Sequence, residues 1–168
     1  MKVILSIIMS LMIVYRREFD KKDISGKLIC RNNYCEKLVK HPFKKYCSRN
    51  CNIEFEKWYY DNFYWRRVRY QIFKRDNYTC QLCGIKSKFR RGLRRNRNFV
   101  SLECDHIKPK SQFELHGYKF DTLENRIKAT IEYFHNHDNL RTLCKECHKK
   151  VTKQYLSARF TNQQSNSE

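Results

Sequence analysis

Glycine and proline are scarce in this chain, with four Gly and two Pro in 168 residues. That excludes collagen-like and low-complexity architectures, which need far more of both. Acidic residues are also few: 17 Asp plus Glu stand against 36 Lys plus Arg, a formal charge of +19, with a pI near 9.7. The imbalance argues against a neutral metabolic enzyme and for a polyanionic partner. Nucleic acid comes first, since a duplex carries about one negative charge per 1.7 Å. An anionic membrane surface is the competing partner. A mean hydropathy of -0.84 keeps the core small, although 11 Tyr, 11 Phe and 2 Trp can build one.

Long apolar runs are missing as well. The stretch from Val3 to Val14, VILSIIMSLMIV, falls short of the roughly 18 residues of a transmembrane helix. Lys2 precedes it and Tyr15-Arg16-Arg17 follows, so it has the make-up of a signal-peptide core without a small-x-small cleavage site. Three readings stay open: a signal or anchor, a buried segment packing on the domain, or an upstream extension with the functional start at Met9 or Met12.

Cysteine, by contrast, is abundant. Eight of the nine cysteines form four close pairs, Cys30/Cys35, Cys47/Cys51, Cys80/Cys83 and Cys144/Cys147. Two thiolates on each of two knuckles close a tetrahedral zinc shell. A structural disulfide framework rarely uses a spacing of two intervening residues, because the bridge is strained and redox-active. Two structural zinc ions are therefore expected, one on Cys30, Cys35, Cys47 and Cys51, the other on Cys80, Cys83, Cys144 and Cys147. Thiolate zinc sites and basic charge favour a reducing compartment. Cys104 is left over and reads as a small packed residue.

Along the chain, residues 1–27 read as apolar leader and linker, and 28–55 as a zinc-finger module built on four cysteines. From Asn52 to Arg75 there is neither Gly nor Pro, and Phe55, Tyr59, Phe63, Arg66 and Tyr70 recur at helical spacing. One or two helices are predicted, with 56–76 connecting the modules and the aromatics forming a core seam that joins the two zinc modules. Seven of the twelve residues in 86–97 are basic and none is acidic: Lys86, Lys88, Arg90, Arg91, Arg94, Arg95 and Arg97. In so basic a chain this run is expected to meet phosphate. Phe99 to Ile107 reads as a strand and 110–136 as a mixed insertion, helical around Leu123 to Phe134. A helix is predicted from Leu143 to Phe160, and 161–168 reads as a disordered tail.

The chemistry-bearing assembly is Cys80-x2-Cys83, Cys104-Asp105-His106-Ile107-x-Pro109, Asp138-Asn139-Leu140 and Cys144-x2-Cys147-His148. Phosphodiester hydrolysis needs a divalent ion to neutralise charge and a base to activate water. Adjacent Asp105 and His106 on a strand point to opposite faces, so one can bind metal while the other reaches water. His148 follows a zinc thiolate directly and is held in place by the knuckle. The Asn139 amide can pin the loop that carries His106.

This set resembles the HNH endonuclease family, with Arg75-Asp76 before Cys80-x2-Cys83-Gly84 and an upstream module around Tyr46-Cys47-Ser48 extending the likeness over 28–158. The resemblance implies a small α+β fold: a ββα-metal HNH nuclease core with structural zinc over 77–160, preceded by the four-cysteine zinc finger and an aromatic-rich helix. It implies a metal-dependent endonuclease hydrolysing DNA phosphodiester bonds, by nicking or double-strand cleavage. His106 resembles the general base, Asp105 and His148 the ligands of a catalytic divalent ion (Mg2+, with Mn2+ or another divalent ion as alternatives), and Asn139 the residue that holds the base loop. DNA is the implied partner, with no small-molecule cofactor. Lys149, Lys150 and Lys153 on the last helix are expected to contact phosphate. The long stretch between Pro109 and Asn139 departs from relatives that have a short glycine-rich turn there.

The alternative is a non-catalytic zinc-dependent nucleic-acid-binding module. A c-type haem site at Cys144-x2-Cys147-His148 is disfavoured, because the three methionines all lie in the leader and supply no axial ligand. A zinc deaminase is disfavoured because Leu143 stands where that motif needs proline.

Overall fold

The described residues are 14–87 and 100–164 of a computed structural model, with side chains through Ala158. Among them the chain forms four α-helices and two small antiparallel sheets, a small α+β architecture. They fall into two units, 14–68 with Pro109–Asn136, and Arg69–Lys108 with the chain from His137 onward. Residues 1–13 and most of the basic run, including Lys88, Arg90, Arg91, Arg94, Arg95 and Arg97, lie outside the described residues.

The first unit opens with a 3-10 turn, Arg16–Phe19, and a hairpin of β1 (Lys21–Lys22) and β2 (Leu28–Ile29). Gly26 at φ +81° supplies the left-handed residue of its turn. The composition of this stretch predicts a linker, and it contributes one residue, Phe19, to the core. Phe19 is 7% exposed and meets Phe55 and Trp58 edge-on, each at a centroid distance of 5.4 Å. Such aromatic pairs contribute about 0.5–1.5 kcal/mol beyond their buried area. Asp20 accepts from Arg31 at 2.7 Å and from Lys45 at 2.9 Å. Burial opposes the Asp20 carboxylate, but Lys45 and Arg31 hold its pKa below the ordinary value. A polar sequence with one buried Phe looks like linker when read by composition alone.

Helix α1 (Arg49–Phe63) starts at Ser48, whose hydroxyl accepts the Cys51 N–H at 3.2 Å. Tyr64, in an extended conformation, interrupts the helical run, and α2 (Trp65–Arg75) follows. Within the first unit the aromatics of α1 build a core. Phe55 packs with Val14 and Phe19, and Tyr46, Trp58, Tyr59, Phe63, Leu123 and Ile127 close around them. Arg66 and Tyr70 are outside this cluster, and Tyr70 is exposed.

The insertion joins the same unit. Helix α3 (Leu123–Ala129) is capped by Thr122 and widens into a π-helical turn, Thr130–Phe134. Phe113, Ala129, Tyr133 and Phe134 are buried together, with Tyr118 and Phe120 packed on them. Arg126 is tied to Glu18 at 2.5 Å. The insertion has its own aromatic core and is not a bare loop.

In the second unit β3 (Leu102–His106) pairs antiparallel with β4 (Leu140–Cys144), setting Asp105 opposite Arg141 and His106 opposite Leu140. Helix α4 (Lys145–Gln164) follows at once. The predicted helix therefore begins two residues late, because Leu143 and Cys144 belong to the strand: Leu143 is fully buried beside Cys80, Cys144 and Leu102. At the far end the helical backbone runs through Gln164, past the expected end at Phe160, in a stretch with no Gly or Pro to stop it. No helix among the described residues is long and apolar enough to cross a membrane.

Candidate metal centres and the Asp105–His148 site

Two clusters of four cysteines are assembled. Cys30, Cys35, Cys47 and Cys51 form one, and Cys80, Cys83, Cys144 and Cys147 the other, each with its sulfurs within 4.8 Å of one another. The sulfurs of Cys35 and Cys47 are 3.6 Å apart, as are those of Cys47 and Cys51, while Cys83 and Cys144 are 3.8 Å apart. A disulfide needs about 2.05 Å. A tetrahedron with zinc–sulfur bonds of about 2.3 Å has edges of about 3.8 Å. The donor sets fit two structural zinc ions.

Local backbone shapes each knuckle. In the first cluster Cys30 follows directly on β2, its sulfur accepts the Cys47 N–H at 3.4 Å, and Cys51 sits in the first turn of α1. In the second, Gly84 at φ +72° lets its N–H turn back to the Cys80 carbonyl at 2.9 Å. Cys144 ends β4, and its sulfur accepts the Cys147 N–H from the first turn of α4 at 3.5 Å. Burial pushes the Cys80 thiol up, but the N–H groups of Cys144, Cys83 and Leu82 outweigh it and bring its pKa to about 6. Cys47 is pushed to about 12 by burial and by the crowd of neighbouring thiols. A cation relieves that crowding, because it favours every thiolate at once. Cys104 belongs to neither cluster, and burial drives its pKa up to about 12. Its side chain is half-buried.

Beside the second cluster lie the other expected site residues. Asp105 is 7% exposed. Its Oδ2 accepts Arg141 Nε at 2.9 Å, and its Oδ1 lies 3.4 Å from His148 Nε2. The other nitrogen of that ring, Nδ1, lies 2.5 Å from Glu103 Oε2. Two residues on one strand face, Glu103 and Asp105, thus bracket a histidine from the first turn of α4. Asp105 and His148 are a pair: among the described residues only the cysteine clusters gather three or more such donors. His106 is half-buried at the last position of β3, and strand alternation turns it to the opposite face from Asp105.

Asn139 is 6% exposed. Its side-chain Oδ1 accepts the Lys108 N–H at 2.8 Å, and its carbonyl accepts the Ile107 N–H at 2.9 Å. The two residues after His106 are therefore both held by Asn139. Arg75 in turn donates to the carbonyls of His137 at 2.5 Å and Leu140 at 2.7 Å, on either side of Asn139. Asp76 accepts the Thr142 N–H at 2.8 Å. Burial opposes the Asp76 carboxylate, yet Arg75 and Thr142 keep its pKa below the ordinary value.

Lys86, Lys149, Lys150 and Lys153 are exposed. Lys149 lies 3.5 Å from Glu146. His148, Lys149, Thr152 and Lys153 line a shallow depression of about 470 Å3 along α4. His135 belongs to the first unit, with Nδ1 at 2.5 Å from the Asn62 carbonyl and its ring stacked on Trp65.

Sequence reading missed Glu103 and Arg141. Alternation could have found Glu103, two residues before Asp105 on the same face. Arg141 needed the strand register. No protein-family model, no curated protein and no solved structure matches the chain.

Proposed function

We propose that the chain is a metal-dependent endonuclease of the HNH kind that hydrolyses DNA phosphodiester bonds. The observation that carries this reading is the convergence of Asp105 Oδ1 and His148 Nε2, 3.4 Å apart, at the strand end that bears His106. Neighbouring ligands bound at about 2.1 Å in an octahedral shell stand about 3.0 Å apart, so a closure of about 0.4 Å brings this oxygen and nitrogen onto one divalent ion. Such an ion, Mg2+ or Mn2+, would neutralise charge on the phosphate and on the leaving oxygen.

The rest falls to the protein. His106 accepts the proton of the attacking water as the water oxygen bonds to phosphorus and the bond from phosphorus to the 3′ oxygen breaks. Asn139 keeps the backbone behind His106 from shifting. Arg141 holds Asp105 by one oxygen and leaves the other toward His148. Lys149 and Lys153, lining the depression beside His148, take phosphates of the bound strand, and the 86–97 run adds further contacts. The two zinc clusters hold the strand ends and helix start in place and take no part in bond breaking.

The test is nicking of supercoiled plasmid by the zinc-loaded protein with added Mg2+ or Mn2+. Cleavage that requires the added ion and leaves 3′-hydroxyl ends supports the reading. Tight DNA binding without cleavage under any divalent ion would return the chain to a non-catalytic zinc-dependent nucleic-acid-binding module.

A further inference from the structure

We infer that Glu103 is the positioning residue of the metal pair: it holds the Nδ1–H of His148 and so presents the bare Nε2 to the ion shared with Asp105. The inference rests on the nuclease reading for the identity of that ion, but its geometric part stands on contacts already described.

A histidine has two ring nitrogens, and the hydrogen bond made by one decides which face the other offers to a metal. At His148 the short contact is Nδ1 to Glu103 Oε2, 2.5 Å, and the longer one is Nε2 to Asp105 Oδ1, 3.4 Å. The short contact puts the Glu103 carboxylate within reach of Nδ1, whereas the longer one lies beyond the usual N–H···O range. Glu103 therefore acts as the acceptor that fixes the ring, and Nε2 is the atom left for coordination. A carboxylate, an imidazole and an ion in sequence make the arrangement that orients many metal-bound histidines.

The strand explains why Glu103 is available. Glu103 and Asp105 are two residues apart on β3, so their side chains leave the same face, the face on which both meet the first turn of α4. The residue between them, Cys104, leaves the opposite face of the strand. Pairing of Glu103 with Leu143 and of Asp105 with Arg141 fixes the register, so a one-residue slip would swap the carboxylates for Cys104 and His106. Asp105 is oriented in the same manner from its other side, by Arg141 on Oδ2. Each of the two converging atoms thus belongs to a group whose second polar atom is already engaged.

Glu103 and His148 are 37% and 35% exposed. Water competes for both, so the proton position must be read directly rather than inferred from stability. Long-range 1H–15N spectra of the 15N-histidine-labelled, zinc-loaded full chain at about pH 8, where an ordinary imidazole is neutral, report which nitrogen of His148 carries the proton. Mn2+ affinity is measured in parallel from the free-ion electron paramagnetic resonance signal. Wild type should show Nδ1–H with a bare Nε2. Glu103→Leu should lose that single tautomer and bind Mn2+ about 10- to 100-fold more weakly, with both zinc ions retained. Glu103→Gln, whose amide oxygen still accepts Nδ1–H, should restore the tautomer and most of the affinity.

An Nε2–H tautomer in wild type, both nitrogens protonated at that pH, or a Glu103→Leu protein with unchanged tautomer would overturn the inference. Failure of the nuclease reading looks different: wild type would hold the Nδ1–H tautomer through Glu103 but neither bind Mn2+ nor nick DNA.

Discussion

Asn139 Oδ1 accepts the backbone N–H of Lys108 at 2.8 Å. With the Asn139 carbonyl on the Ile107 N–H, one buried side chain and its own backbone fix the chain immediately after His106. The contact ties the end of β3 to the residue preceding β4, so the backbone beyond His106 is anchored to the strand it pairs with.

Asn139→Ala is expected to lower cleavage about 100-fold, since a misplacement near 1 Å at a reacting group can cost that much. Zinc content and DNA affinity should be unchanged, because Asn139 touches neither cluster. Single-turnover cleavage beside a binding titration checks this. Loss of DNA affinity in step with activity would make Asn139 a binding residue instead.

Asp76→Ala leaves the Thr142 N–H and part of the Arg75 guanidinium unpaired. A cost of about 1–3 kcal/mol is expected, measured by urea unfolding of the zinc-loaded protein. The sign of its pH dependence follows from the lowered pKa of Asp76. A carboxylate depressed in the folded state adds stability that is complete above its unfolded value and is lost as pH falls through the folded one. The deficit of the variant should therefore be constant from about pH 7 to about pH 5. A deficit that narrows over that interval would show that Asp76 titrates higher than the structure requires.

Two independent zinc ions are expected per chain. Elemental analysis should give about two, with Cys35→Ser and Cys144→Ser each losing one. Cys104→Ser should lose neither, since Cys104 stands outside both clusters. A zinc count near one in wild type would remove a cluster from the account. A lost ion in Cys104→Ser would place that thiol in a metal shell.

Much of this was legible because some signals are local. Cys80-x2-Cys83 and Cys144-x2-Cys147 carry their geometry in the spacing, and both quartets assemble as read. The aromatic stretch from Asn52 to Arg75 announces helices, and the structure breaks it at Tyr64. Other features depend on register or packing and leave no local trace. Phe19 lies among charges and looks like linker, yet it fills the space beside Phe55. The insertion residues Phe113, Tyr133 and Phe134 find one another across a π-helical turn that periodicity does not report. Leu143 fits a helical pattern as well as a strand, and pairing with Glu103 decides for the strand. Arg141 became a site residue only when β3 and β4 were aligned.

The most direct test of the central claim is plasmid nicking by His106→Ala with Mg2+ or Mn2+ present. Cleavage should fall by about two to four orders of magnitude, the usual contribution of a positioned general base, while DNA binding and the zinc content of wild type persist. Nicking by a clean His106→Ala protein at the wild-type rate would contradict that claim.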